Sequence, residues 1–349
     1  MSGLKLGIVG FGRIVELTHL PVLAKQPDVE VSGIYDLTPK RLELAARRGF
    51  RTFERLEALW ASEAQAVLIA TPPSSHYALA AQALSHGKHV LIEKPIALDS
   101  GEAERLSQLA RENRLIVSVV HNRRFDDDFR LVRQVIESGE LGEILFVERR
   151  CHRFGSGASF GVPSFHPGWR NETAYGGGAL MDWGVHLADQ LLQLGLGAWQ
   201  SVEASMQQLR WNKGETEECV QARIRLDNGI WLSMDIHFGS HAASPLWIVG
   251  GDRGTLRVEE NGEAAIYGTG QQPGRVVPDF PVGGYRKDYE GTRRIHASFA
   301  SCLRGEGELE VTLEQAIEGM RLLDAIRMAA ADKREVRYGD IVRGASVGV

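Results

Sequence analysis

The sequence of 349 residues holds only three cysteines, Cys151, Cys219 and Cys302, and no C-x-x-C pair. So few, odd in number and far apart, they support neither a disulfide framework nor a structural zinc site, and a reducing cytoplasm is the simplest setting. No apolar run approaches the length of a membrane span. Met1 leads directly into Leu4-Lys-Leu-Gly-Ile-Val9, without a basic segment, a long apolar region and a cleavage site, so the chain is expected to be neither exported nor membrane-bound. An excess of one charge is missing too. With 40 basic against 45 acidic residues the net charge is -5, which argues against nucleic acid or an anionic membrane as partner. There is no repeat of fixed period and no low-complexity tract. What remains is an ordinary globular composition, long enough for two domains that each bury a core.

One stretch stands out against that background: Gly176-Gly-Gly-Ala-Leu-Met-Asp182-Trp-Gly-Val-His186-Leu-Ala-Asp189. Asp182, His186 and Asp189 are spaced four and three apart, so a helix lines them along one face. Leu180, Met181, Val185, Leu187, Leu191 and Leu192 surround them with apolar groups. A carboxylate or imidazole in such company loses hydration unless it is paired or used. Two readings stay open: a buried helix whose polar residues satisfy neighbouring loops, or an acid/base helix in which His186 moves a proton. The three glycines ahead of it let a backbone or ligand approach the helix start.

The N-terminal half alternates strands and helices. Leu4–Val9 reads as a buried strand running into Gly10-Phe11-Gly12-Arg13-Ile14-Val15 and a helical segment up to Pro21. Strand, glycine turn and helix put backbone N–H groups against a pyrophosphate. Gly10 permits the tight turn, and Gly12 the close approach of phosphate. Val15 departs from the small residue usual at the third position, so its branched side chain must push the helix outward or find a pocket. The next strand, Val29–Tyr35, ends on Asp36, about two dozen residues beyond Gly10 and near the spacing of a ribose-binding acid. Asp36 either bonds the ribose hydroxyls or caps the helix that follows. In the first case it favours NAD, and nearby Lys40 and Arg41 keep NADP open. Ala66–Ala70 and His89–Ile92 read as strands buried on both faces. They end on Thr71-Pro72-Pro73-Ser-Ser-His76 and Glu93-Lys94-Pro95. A helix over 100–113 and a strand over 115–120 complete a doubly wound parallel sheet. Ligands of such sheets gather beyond the carboxyl ends of the strands, where Gly10, Asp36, Thr71 and Lys94 all fall.

These residues together resemble the glucose–fructose oxidoreductase/inositol dehydrogenase (Gfo/Idh/MocA) family. The resemblance runs over nearly the whole chain: the Gly10/Gly12 turn, Asp36, Ala70-Thr71-Pro72 with His76, Glu93-Lys94-Pro95, and Gly177-Gly178 through Asp182, Gly184, His186 and Asp189. It implies a Rossmann domain followed by an α/β domain with a large, mostly antiparallel sheet, and hydride exchange between NAD or NADP and a sugar or polyol. It carries over Lys94, Asp182 and His186 as the catalytic group. Gly10, Phe11, Gly12, Arg13, Ile14, Asp36, Thr71, Pro72, His76, Glu93 and Lys94 become the cofactor-binding set. His121–Phe129 is similar to a segment of a branch that contains scyllo-inositol dehydrogenases, which suggests Asn122 and Arg124 as donors to substrate hydroxyls. For Asp126, Asp127 and Asp128 the plainer reading is a charged, solvated helix start over 126–138. The family sheet often meets another subunit, so a homo-oligomer, dimer or tetramer, is implied.

From Glu143 the pattern becomes one of alternating strands: 144–150, 201–209, 219–226, 230–238, 247–250 and 255–259, with Asp227-Asn228-Gly229 as a hairpin signal. The segment 155–168 is expected to be a substrate loop, and around it stand His152, Arg153, His166, Trp169 and Arg170. Trp169 and Arg170 join the substrate candidates Lys94, Asn122, Arg124, Asp182 and His186. Thr312-Leu-Glu-Gln315 reads as a capping box opening a helix to about residue 331. The resemblance returns that helix to the first domain, so the expected division is 1–122 and 123–349. In the expected reaction His186 takes the hydroxyl proton and Lys94 stabilises negative charge on the same oxygen, the two halves meeting at one cleft. Asp182 orients the substrate and Asp189 is structural. A metal centre built from His152, His166, Asp182 and His186 lacks recognisable ligand spacing, and no metal is expected. Two other functions compete: a glycosidase that uses bound NAD transiently, and a dinucleotide sensor without chemistry.

Overall fold

The computed structural model describes residues 3–155, 166–210, 213–268, 274–276 and 289–345. Residues 156–165, most of the expected substrate loop, lie outside the described set. The described residues form two compact units, the first made of 3–122, 166–177 and 289–320, the second of the remainder.

In the first unit, β1 (Leu4–Val9), β2 (Val29–Tyr35), β3 (Ala66–Ile69), β4 (His89–Ile92) and β5 (Val117–Val119) form one sheet in the order β2-β1-β3-β4-β5. Every pairing is parallel. All four residues of β3 are fully buried, as helices on both faces require. Each Val, Leu or Ile so covered contributes roughly 1.5–3 kcal/mol. One rung crosses the whole sheet: Tyr35, Val9, Ile69, Ile92 and Val119 are successive partners. The residues after that rung therefore leave the sheet along a single edge.

The first segment of this unit ends at Asn122, where the sequence places its division, and residues 166–177 and 289–320 are gathered onto it. The Ser118 hydroxyl donates to Val311 O at 2.8 Å, and the Gln26 amide donates to Arg293 O at 2.8 Å. Gly291 lies so close to Asn122 that a Cβ on it would come within 2.2 Å of the Asn122 carbonyl oxygen. Long-range hydrogen bonds of this kind leave no trace in local sequence pattern. The helix Leu313–Asp332 opens on the expected capping box. Thr312 N–H donates to Gln315 Oε1 at 3.1 Å, and Gln315 N–H donates to Thr312 Oγ1 at 3.3 Å.

The second unit is built on nine strands: β6 (Ile144–His152), β7 (Trp199–Gln207), β8 (Cys219–Leu226), β9 (Trp231–His237), β10 (Trp247–Gly251), β11 (Thr255–Val258), β12 (Ala264–Tyr267), β13 (Gly274–Arg275) and β14 (Val336–Arg337). Their order is β13-β12-β11-β10-β6-β9-β8-β7-β14. Only β6 and β9 pair in parallel; the other neighbours are antiparallel. Asn228-Gly229 turns β8 into β9, with Gly229 at φ 89°, as the hairpin signal requires. Strand alternation buries Val147, Ala222, Ile224, Leu232, Met234 and Ile236 on one face. Helices Asp127–Glu137 and Val185–Gln193 pack there.

The aspartates at the start of the first of these helices are half-buried and paired rather than freely solvated, as the plainer expectation had them. Asp128 accepts from Trp247 Nε1 at 2.8 Å and pairs with the buried Arg149 at 3.2 Å. Asp126 accepts from Arg123 at 2.8 Å. Their partners come from later in the chain or from the preceding turn, so the helix periodicity by itself cannot reveal the burial.

Candidate active site

The carboxyl edge of the parallel sheet collects Gly10, Asp36, Ala70-Thr71, Glu93-Lys94 and His121-Asn122 immediately beyond β1 to β5. The two glycines of the first turn are there for different reasons. Gly10 has φ 95°, and a Cβ on it would stand 2.7 Å from Ala70 O, so the fold itself demands glycine. Among the described residues, its chain neighbours aside, no atom lies within 4 Å of a Cβ placed on Gly12. Packing does not require that glycine, whereas close approach of a phosphate does. Gly12 O accepts from the N–H groups of Val15 and Glu16, both at 3.1 Å, and the helix begins. Arg13 and Ile14 are exposed on its first turn, while the Phe11 ring is fully buried, leaving only the Phe11 main chain on the turn.

Val15 finds a pocket: it is fully buried. It opens a π turn, Val15–His19, that runs into Leu20–Leu23. Pro21, which has no N–H to give, is carried inside the helix after that wider turn, so the helix does not stop there. Asp36 is half-buried. One carboxylate oxygen accepts from Phe11 N–H at 2.6 Å and the other from Thr38 N–H at 2.7 Å, which fixes its orientation against the glycine turn. Arg41 is not a free cation beside it. Its guanidinium is buried, donates to Phe11 O at 2.5 Å and pairs with Glu16. A turn with open space at Gly12, the first N–H groups of a helix and an oriented carboxylate at the end of β2 fit a dinucleotide with unmodified ribose hydroxyls.

His76 is expected at the cofactor, yet its ring is fully buried and its two nitrogens stand 2.7 Å from Pro95 O and 2.9 Å from Thr71 O. Burial holds its pKa below the ordinary imidazole value, against the pull of the two carbonyls. It ties the loop after β3 to the loop after β4, and reaches a ligand only through them. Thr71 Oγ1 is 2.6 Å from Ser75 Oγ in the same loop. Glu93 Oε1 lies 2.8 Å from His19 Nε2, and Glu93 Oε2 accepts from Lys94 N–H at 3.1 Å. The peptide bond from Lys94 to Pro95 is cis.

Trp169 and Arg170 also belong to the first unit, on the turn Trp169–Asn171, with the guanidinium 4.2 Å from the indole centroid. Their segment is seated by Gly176, where a Cβ would fall 2.5 Å from Leu98 and 3.0 Å from Pro73. These are residues of the loops after β4 and β3, so the segment lies by the same carboxyl edge.

In the second unit the acid/base stretch is helical but not uniformly α. A π turn, Leu180–Gly184, precedes the α-helix Val185–Gln193. Asp182 is half-buried, while His186 and Asp189 are buried. The start of the helix is held by a residue that sequence pattern did not single out. Glu217 O accepts from Ala179 N–H at 3.0 Å, and Glu217 Oε1 accepts from Leu180 N–H at 2.8 Å. Gly178 makes room: a Cβ there would be 2.6 Å from that carboxylate. Burial pushes the Glu217 carboxyl up, and its hydrogen bonds and Arg327 only partly offset this. Glu217 stands in a run of polar residues just before β8, and nothing local distinguishes it from a surface acid.

Trp183, between Asp182 and His186, has no signal in the sequence either. Its ring centroid is 6.3 Å from that of His186, and the guanidinium carbons of Arg123 and Arg153 each lie 4.4 Å from the indole centroid. Arg124, which the sequence offers as a donor to substrate hydroxyls, has a buried partner in its own unit. It closes on Asp189 through two hydrogen bonds of 2.8 and 2.6 Å. Asn122 lies in the first unit, at the head of the turn Asn122–Phe125.

The chain matches two family models: one described as an oxidoreductase family with an NAD-binding Rossmann fold, over residues 4–121, and the GFO/IDH/MocA C-terminal domain, over residues 129–257. An uncharacterized oxidoreductase of Schizosaccharomyces pombe is 35% identical over 226 residues, 63% of this chain and 59% of that protein. The scyllo-inositol 2-dehydrogenase (NADP(+)) IolW of Bacillus subtilis is 28% identical over 357 residues, 95% of each chain. A crystal structure of an NAD-binding protein from Listeria innocua superposes with a TM-score of 0.83 at 30% identity, covering 95% of this chain and 96% of that one. The glycine turn, the parallel sheet behind it and the nine-stranded sheet thus have one common source: the chain belongs to the GFO/IDH/MocA family of NAD-binding oxidoreductases.

Proposed function

We propose that the protein is a dehydrogenase that moves a hydride between a nicotinamide cofactor and a secondary hydroxyl or ketone of a sugar or polyol, inositol-like in shape. The observation that carries this reading is the convergence of the Gly12 turn, Asp36, Thr71 and Glu93-Lys94 on one edge of the sheet, in a chain that also keeps Asp182 and His186 on one helix. Kinship with IolW, whose name specifies scyllo-inositol, supports the polyol class.

When bound, the cofactor supplies the hydride acceptor. The residues of the chain do the rest. The glycine turn and the first helix N–H groups hold the pyrophosphate. Asp36 accepts from the ribose hydroxyls, and its charge disfavours a 2′-phosphate. Arg41, committed to Glu16 and Phe11 O, offers that phosphate no compensation, so NAD is favoured over NADP. His186 takes the hydroxyl proton, as a neutral imidazole can. The Lys94 ammonium donates to the same oxygen as negative charge develops on it. Asp182 orients the substrate by accepting from a neighbouring hydroxyl. The polar face of the nine-stranded sheet, with Glu148, Arg150, Gln221, Arg223, Ser233 and Asp235, is assigned to self-association of the protein, and the setting to the cytoplasm.

The test is reduction of NAD against a panel of inositols, aldoses, deoxy sugars and acidic sugars. A steady rise of NADH with one member, reduced a hundredfold or more by His186→Ala at undiminished NADH affinity, is the expected result. Glycoside cleavage without accumulation of NADH points instead to the glycosidase alternative. NADH binding with no turnover on any member points to a sensor.

A further inference from the structure

Behind Glu93 lies a buried series of titratable groups that the proposed reaction does not use. His19 is fully buried and closes the π turn of the helix that follows the glycine turn. Its Nε2 is 2.8 Å from Glu93 Oε1, and its Nδ1 is 2.9 Å from Nε2 of His296, a buried residue of the helix Glu290–Leu303. The two rings meet edge to face, with centroids 5.1 Å apart. Three segments remote in sequence thus end on one carboxylate, which in turn accepts the Lys94 N–H.

We propose that His19 and His296 are positioning residues: they hold the Glu93 carboxylate, and with it the main chain at Lys94, in fixed relation to the helix that starts at the dinucleotide turn. The inference rests on the role given to Lys94 above. Counting protons supports it. Burial acts to raise the Glu93 carboxyl, but His19 and Lys94 outweigh burial and hold it below the ordinary range, so it accepts. Nε2 of His19 must then carry a hydrogen and donate. Across the 2.9 Å contact, a neutral His19 accepts at Nδ1 from His296 Nε2–H. A protonated His19 donates from Nδ1 to His296 Nε2, and His296 keeps its hydrogen on Nδ1. Either way both contacts are hydrogen bonds, so a change of charge next to Lys94 does not break the series. Burial and the neighbouring His19 hold His296 itself well below the ordinary imidazole value, so it serves as the neutral partner. The charged groups on the surrounding elements are otherwise engaged: Glu16 with Arg41 and Arg48, and Glu290 with Arg293 and Arg294.

The experiment uses the full chain. Histidine-selective 15N spectra, assigned through His19→Gln and His296→Gln, read the ring nitrogens directly. At pH 7 Nε2 of His19 is expected to be protonated, and both rings are expected to shift on addition of NADH. A His19 without a proton on Nε2, or rings that do not respond to NADH, overturns the inference whatever the substrate proves to be. On the alcohol found by the NAD panel, His296→Leu is expected to lower kcat about tenfold with KM for NAD changed less than about threefold. His296→Gln, whose amide can either donate to Nδ1 or accept from it, is expected to restore most of that loss. Unchanged kcat in His296→Leu, or a fall that His296→Gln fails to rescue, overturns it. Lys94→Ala keeps the two readings apart: if it retains activity the assignment of Lys94 fails, and if it is inactive while His296→Leu is normal only the positioning inference fails.

Discussion

Arg124 and Asp189 form a two-pronged ion pair inside the second unit, through hydrogen bonds of 2.8 and 2.6 Å, with side chains only 7% and 4% exposed. Asp189 stands one turn beyond His186, so this pair fixes the helix that carries the proposed base. Removing one partner strands the other charge away from water. Asp189→Ala is therefore expected to destabilise the protein by about 3–5 kcal/mol. Denaturant unfolding checks it. The simultaneous change Arg124→Met with Asp189→Leu, which leaves no charge behind, is expected to recover part of the loss.

The two glycines of the first turn separate stability from binding. Gly10→Ala places a Cβ 2.7 Å from Ala70 O at φ 95°, and is expected to lower stability by at least about 1–2 kcal/mol. Gly12→Ala meets no atom within 4 Å among the described residues beyond its chain neighbours, and is expected to unfold like the parent, within about 0.5 kcal/mol. NADH affinity of that variant should nevertheless fall about tenfold or more, because the methyl occupies the place of the phosphate. Melting curves and NADH fluorescence titration of the two variants provide the comparison.

Cofactor choice rests on Asp36, whose oxygens are oriented by Phe11 and Thr38 N–H groups. Asp36→Ala is expected to raise KM for NAD about tenfold or more and to narrow the gap to NADP, since the ribose contacts and the repulsion vanish together. Michaelis constants for both cofactors in parent and variant decide this. A parent that clearly prefers NADP removes Asp36 from the role.

Asp126 gives a pH signature of stability. Burial pushes its pKa up to about 6, and Arg123 offsets burial only in part. Between about pH 4, where the unfolded chain releases this proton, and about pH 6, the native chain still holds it. The contribution of Asp126 is therefore fully present below that window and is lost as pH rises through it. Asp126→Asn should gain stability relative to the parent as pH climbs from 4 to 7. Thermal midpoints of both proteins over that range test the slope.

Local pattern revealed the parallel sheet because its strands are short, apolar on both faces and bounded by glycine and proline. The Asn228-Gly229 hairpin and the Thr312 capping box were legible for the same reason: each is a contact between residues a few positions apart. The surroundings of His76, Asp126 and Arg124 are not legible in that way. Each sits in a stretch of plausible surface or site composition, and its surroundings are set by contacts that periodicity does not identify: Pro95 O for His76, the packing that half-buries Asp126, and Asp189 for Arg124. Glu217 and His19 carried no signal, since a lone acid before a strand and a lone histidine in a helix are common in any globular chain.

The order of glycine turn, acid, lysine and acid/base helix was thus settled by the sequence alone, because spacing along a strand or helix dictates where side chains emerge. Folding decided which of those side chains remain available for chemistry and which are spent on one another. A hydrogen bond between residues 19 and 296, or 124 and 189, depends on the chain closing over distances that local propensity cannot span, and only packing brings such groups within reach.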